Sequence, residues 1–275
     1  MVFIQDGGWT ACKKELYYGL AARLSRRGIV VVVPAYKTHP RTPPNNIHKD
    51  ILRLLRWLTV NARTYHADRQ RIFLVGHGTG VQLSLLTAIE AGTVSMQPKV
   101  AGVVGLSGIY DLPALYETLR RRDRFRARAL LRLFGASNAD DLVAYSPLQQ
   151  LLNTPPRCVP RLWFFHGTHD SLVSFKSVCN DVARLAGAGI PVSYVAYHRW
   201  SRLRWLMELT HDVPDARLLD ELTMLAKGLH ASNAAGQQAA STSTPIEAND
   251  ATHAVQRRDW HWRLREWTLR HLGGI

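Results

Sequence analysis

Cysteine is scarce in this 275-residue chain, with only Cys12, Cys158 and Cys179, irregularly spaced. That number and spacing support neither a disulfide framework nor a metal site, and fit reduced thiols in the cytoplasm. Long apolar runs are also missing. No early stretch has the layout of a signal peptide, and no run reaches the roughly 20 residues that a membrane-spanning helix needs. Acid is short as well: 21 Asp and Glu face 35 Lys and Arg, a formal charge of +14 at pH 7. Such an excess can attract an anionic substrate, an anionic membrane surface or nucleic acid. No nucleic-acid-binding motif accompanies it, so a nucleic-acid partner is not expected.

What is present suits one folded domain with one sizeable core, since 46% of the residues are hydrophobic. Apolar strand-like runs at 2–5, 29–33, 71–76, 100–106, 161–166 and 191–197 alternate with helical segments. That alternation predicts an α/β fold, a mostly parallel sheet with helices on both faces. Unbroken runs such as Ile29 to Val33 are what a strand buried on both faces looks like.

The most informative run is Ile72 to Val81, an apolar strand opening into Gly76-His77-Gly78-Thr79-Gly80. It has the glycines of the G-x-S-x-G nucleophile elbow and lacks the serine. In that turn the tip residue sits at positive φ so that its side chain projects into a site. Gly78 takes this conformation freely and supplies no nucleophile. A dinucleotide loop is the competing reading. It fails at its sixth position, Val81, and Asp111 is a late, poor candidate for its acidic residue.

Upstream, Val2 to Trp9 reads as a strand followed by Gly7-Gly8-Trp9. It resembles the H-G-G-G-W oxyanion loop of esterases, with Gln5 and Asp6 in place of the histidine and the first glycine. An aspartate facing an oxyanion site is electrostatically unhelpful. Downstream, the strand from Arg161 opens into His166-Gly167-Thr168-His169-Asp170-Ser171-Leu172-Val173, and His211-Asp212 follows the strand at 191–197. Taken singly, Asp170 reads as a turn residue and His211 as one of 12 histidines; the order elbow, Asp, His at successive strand ends is much harder to obtain by accident.

These residues, with Tyr18 to Tyr36, Gly105-Leu106-Ser107-Gly108-Ile109-Tyr110-Asp111 and Tyr145-Ser146-Pro147, resemble the α/β-hydrolases of the prenylcysteine methylesterase and kynurenine formamidase type. The resemblance runs from Met1 to His211. It implies the α/β-hydrolase fold, a small ester or amide as substrate, and no cofactor or metal. The implied site has Gly78 at the nucleophile position, Asp170 and His211 as acid and base, and Gly7, Gly8 and Thr79 as oxyanion or substrate-binding residues. It also implies that the sheet lacks its first two strands here, leaving 29–33 as an exposed apolar edge from a truncated start. The methylesterase branch carries N-terminal membrane segments, so endomembrane association is implied for relatives with an intact start. A serine restored at position 78 is expected to recover part of the chemistry, at some cost in backbone strain.

Beyond the core motifs, Arg120 to Arg128 is strongly basic, as a cap near the site entrance or as a solvated helix. The run His198 to Glu208, rich in Trp and Arg, either lines the site or packs back as a surface insertion. The domain is expected to occupy 1–230, a low-complexity linker 231–250, and a C-terminal helix 251–275. Three functions follow: a carboxylic-ester or amide hydrolase, a pseudoenzyme that binds a ligand or partner, or an enzyme in which His211 and Asp170 drive direct attack by water. The oligomeric state is open.

Overall fold

The computed structural model describes residues 1–94, 99–210 and 216–228. The expected linker at 231–250, the expected helix at 251–275 and His211 lie outside the described residues. Five parallel strands, β1 (Val2–Ile4), β2 (Ile72–His77), β3 (Val100–Leu106), β4 (Arg161–Gly167) and β5 (Val192–Tyr197), form one sheet in the order β1-β2-β3-β4-β5. Each neighbouring pair is parallel and crosses over through helix, as short parallel connections require.

Alternate side chains feed two cores. Leu74, Val103, Leu162 and Phe164 point to one face, under α2 (His48–Asn61), α3 (Thr79–Thr93), α6 (Pro147–Leu152) and α7 (Phe175–Gly187). Phe73, Val75, Val104, Trp163 and Phe165 point to the other, under α1 (Tyr18–Ser25), α8 (Arg202–Thr210) and α9 (Ala216–Lys227). A pair of further helices, α4 (Leu112–Arg122) and α5 (Arg124–Phe134), forms a hairpin after β3. Burial on both faces explains why β2 reads as an unbroken apolar run instead of an alternating one.

Helix α3 is buried from Thr79 through Ile89, with no face of that stretch turned to solvent and with Thr79, Gln82, Ser84 and Thr87 among the buried side chains. Its first turn sits against the end of β1. A Cβ on Gly80 would come within 2.1 Å of the Ile4 carbonyl oxygen, so this close approach requires glycine.

The expected strand at 29–33 is not a full strand. Only Val32 bridges, to Val2, with Phe3 N–H donating to Val32 O at 2.8 Å and Val32 N–H to Met1 O at 2.9 Å. Strand β1 is three residues long and Pro34 ends the run, so the pairing cannot extend. The edge is also less exposed than expected. Val31 and Val33 pack half-buried on one core and Val32 on the other. In hydrogen exchange the Val32 amide should be slow and those of Val31 and Val33, facing away from β1, fast. Equal protection of all three would mean that another segment pairs with this edge.

The insertion at 198–208 packs onto the domain. Trp205 is fully buried, and its ring lies 4.9 Å from Tyr197 and 4.7 Å from Trp200. Burying a tryptophan of this size contributes at least about 2 kcal/mol. Among the described residues no helix is long and apolar enough to cross a membrane.

Candidate active site at the end of the sheet

Gly78 occupies the turn between β2 and α3 at φ +56° and ψ −116°, the left-handed backbone expected of an elbow tip. Its N–H donates to Leu106 O at 3.0 Å, and its carbonyl accepts from Ile109 N–H at 3.3 Å, which fixes the turn against the end of β3. The loop after β1 lies beside it. Gly8 and Trp9 have φ of +59° and +64°, and the Trp9 indole N–H donates to the buried Gln82 Oε1. Gly8 and Trp9 therefore form a fixed turn against the start of α3.

Asp6 fills the space between these two loops. Its Oδ1 accepts from Thr79 N–H at 3.1 Å, from the Thr79 hydroxyl at 2.9 Å and from Gly7 N–H at 2.9 Å. Its Oδ2 takes the Arg202 guanidinium at 2.6 Å. Two of the N–H groups expected to hold an oxyanion, those of Gly7 and Thr79, thus hold a carboxylate of the chain itself. A Cβ built on Gly78 would meet Asp6 Cγ and Oδ2 at 2.3 Å and Arg202 Nη2 at 2.7 Å. The volume a serine side chain would enter is already taken.

Burial alone would push the Asp6 carboxyl up. Arg202, His77 and the bonds from Thr79 outweigh it and hold the group far below the usual carboxylate range. Arg202 shows the converse: burial disfavours its charge, and Asp6 and Asp170 more than restore it. His77, next to the tip, is pushed down to about 4 by burial, against the opposing pull of Asp6. It is therefore neutral at pH 7, and its Nδ1 pairs with the Tyr17 hydroxyl at 3.0 Å.

Asp170 lies on the loop after β4 and is buried. Its Oδ1 accepts from Leu172 N–H at 2.8 Å and Val173 N–H at 3.1 Å, and its Oδ2 accepts from the Ser107 hydroxyl. Ser107, at φ +49° just after β3, also offers its carbonyl to Arg202 at 3.3 Å. Thr79, next to the elbow tip, is thus linked through Asp6, Arg202 and Ser107 to Asp170 in one chain of hydrogen bonds. His166 lies 3.8 Å from Asp170 Oδ2 but donates its Nε2 proton to Val173 O at 2.8 Å. Burial lowers its affinity for a proton despite Asp170. The expected base, His211, lies outside the described residues. Asp111, the poor dinucleotide candidate, caps α4 by accepting Ala114 N–H.

Arg202 and Ser107 were not singled out from sequence. The signal for Arg202 was indirect, because an aspartate in a loop that must be buried needs a cation. The Arg-rich insertion at 198–208 was the unassigned source of one, and it both packs on the domain and reaches the site.

A profile of the BD-FAE family matches residues 1–180. A probable isoprenylcysteine alpha-carbonyl methylesterase ICMEL1 from Oryza sativa subsp. japonica is 27% identical over 184 residues, 62% of this chain and 42% of that protein. A kynurenine formamidase from Salmo salar is 24% identical over 119 residues, 43% of this chain and 39% of that protein. The chain thus spans less than half the length of these curated relatives. The solved structure of carboxyl esterase 2 from Tuber melanosporum superposes with a TM-score of 0.67 at 17% identity, covering 83% of this chain and 78% of that one. At that identity the likeness is one of fold.

Proposed function

This chain belongs to the BD-FAE family of α/β-hydrolase esterases, and on that premise we propose that it is a carboxylic-ester-hydrolase-type member that has given up acyl-enzyme chemistry and acts as a pseudoenzyme, binding a small ester- or amide-bearing ligand. The observation that carries the proposal is Asp6, seated on Gly7 and Thr79 with Arg202 closing over it.

Two independent losses follow from that arrangement. With Gly78 at the elbow there is no atom to attack a carbonyl and none to be acylated. With Asp6 in place, the donors that would stabilise a tetrahedral oxyanion are spent, and a second negative charge beside them would be repelled. Removal of one oxyanion donor alone costs about a hundredfold or more in other hydrolases. In this reading Asp170 and His211 are the acid and base of the ancestral relay, and Gly7, Gly8 and Thr79 its oxyanion loop. Likeness to a methylesterase and a formamidase supports an ester or amide carbonyl as the ligand class, without choosing between them.

The test is to expose the full chain to a fluorophosphonate probe and to p-nitrophenyl esters. No covalent adduct and no burst are expected. Stoichiometric labelling at any residue near Gly78 would sink the proposal. So would steady turnover that lacks a burst and disappears in His211→Ala, which would instead favour direct attack by water.

A further inference from the structure

We propose that the outward face of α5 is a docking surface for an anionic lipid bilayer. Helix α5 buries Ala127, Leu130 and Phe134 on the domain, which turns its opposite side to solvent. Phe125, Arg128 and Arg132 lie at i, i+3 and i+7 and so share one stripe, flanked by Arg124; all four are exposed. Arg120, Arg121 and Arg122 at the end of α4 are exposed beside them.

The acids within this hairpin are already engaged. Glu117 pairs with Arg120 at 2.8 Å, and Asp123 caps α5 through Phe125 and Arg126 N–H and pairs with Arg126 at 3.3 Å. Among the described residues, Arg121, Arg124, Arg128 and Arg132 have no ion pair. Their charge is left for a partner of opposite sign.

Phe125 decides which partner. It is 69% exposed in the middle of the arginines, where it adds nothing to the core. Phosphate contact alone, to a duplex or a free anion, needs only the guanidinium groups, and a single strand stacks successive bases on several aromatics where this stripe has Phe125 alone. A bilayer surface uses both parts of the face, since arginines meet the headgroups while an aromatic enters the boundary of the acyl region. Arg122 donates to the carbonyl of Ser171, next to Asp170, so a docked α5 would hold the candidate site close to the membrane.

The test uses the full chain in co-sedimentation with vesicles of phosphatidylcholine, with and without phosphatidylserine. Binding is expected only with phosphatidylserine, and should vanish in high salt. Combined replacement Arg124→Gln, Arg128→Gln and Arg132→Gln should weaken it about a hundredfold. Phe125→Ser should weaken it about tenfold. Both variants replace exposed side chains, and unchanged circular dichroism and melting would confirm their folding. Vesicle binding by the triple variant equal to the parent would overturn the proposal, because the charge responsible would lie elsewhere. Binding to RNA or duplex DNA without vesicle binding, or full competition by soluble phosphoserine, would overturn it too.

Discussion

Gly78→Ser alone is expected to leave the protein unlabelled by fluorophosphonates, whereas Gly78→Ser combined with Asp6→Gly and Arg202→Ala should label. Serine geometry at the elbow is not the main obstacle. Positive φ at a non-glycine residue costs on the order of 1–3 kcal/mol, a strain that functional sites tolerate. The obstacle is that the new Cβ would fall 2.3 Å from the Asp6 carboxylate and 2.7 Å from Arg202. A serine here is therefore crowded by a carboxylate that stays anchored on Thr79 and Gly7, and it strains a largely buried ion pair. That should cost about 3 kcal/mol and lower the melting temperature by roughly 6–12 °C. Asp6→Gly instead restores the glycine that the oxyanion loop of esterases carries at this position, and frees the N–H groups of Gly7 and Thr79. Arg202→Ala removes a cation that would otherwise be left without its carboxylate. In the triple variant, labelling should fall at least about a hundredfold on adding His211→Ala, if His211 is the base. Labelling of the single variant at the rate of the triple one would mean that Asp6 moves aside freely and does not block the site. A folded triple variant that never labels would mean that freeing the Gly7 and Thr79 donors is not enough to build a reactive serine here.

This expected result departs from the sequence-based expectation that one serine recovers part of the chemistry, and the reason is physical. The elbow was legible because a strand ending in spaced glycines specifies a backbone path through local sterics, and Gly78 has the positive φ that this implies. The sheet was legible for a similar reason, since β2, β3 and β4 are largely runs buried on both faces, while the edge strand β5 is only partly covered. Asp6 could be flagged as electrostatically awkward, but its partner lies 196 residues away on a segment with no fixed register to the motifs. Long-range pairing of charges has no local signature. The segment at 29–33 failed in the opposite sense. Its β-branched run favours extended backbone, yet hydrogen bonding is decided by the three-residue partner β1, which allows one bridge. Ser107 was read within a strand-and-turn motif. Its bond to Asp170 depends on how the ends of β3 and β4 are brought together, which residue types alone do not specify.

A second large effect is expected away from the site, at Asp181. This residue lies on the inner face of α7 and is buried, with Asp111 the nearby like charge and Arg184 the nearby cation. Burial, then Asp111, push its carboxyl up to about 7, and Arg184 offsets only part of this. In the unfolded chain the group returns to the ordinary value of 3.8. The folded state therefore holds a proton that the unfolded state has lost between about pH 4 and pH 7. Stability from this group is complete below pH 4, is lost as pH rises through that window, and stays lost above it. A displacement of that size bounds the loss at about 4 kcal/mol, and relaxation and water penetration around the charged carboxylate bring it to about 2 kcal/mol. Asp181→Asn keeps the shape and removes the titration. Its melting temperature should match the parent near pH 4 and exceed it by roughly 4–8 °C at pH 8. Because the other carboxyls and histidines titrate equally in both proteins, only the difference between the two curves reports on Asp181. A difference that stays flat from pH 4 to pH 8 would mean that the Asp181 carboxyl is solvated or paired in the folded protein, and the assigned burial of its charge would be wrong.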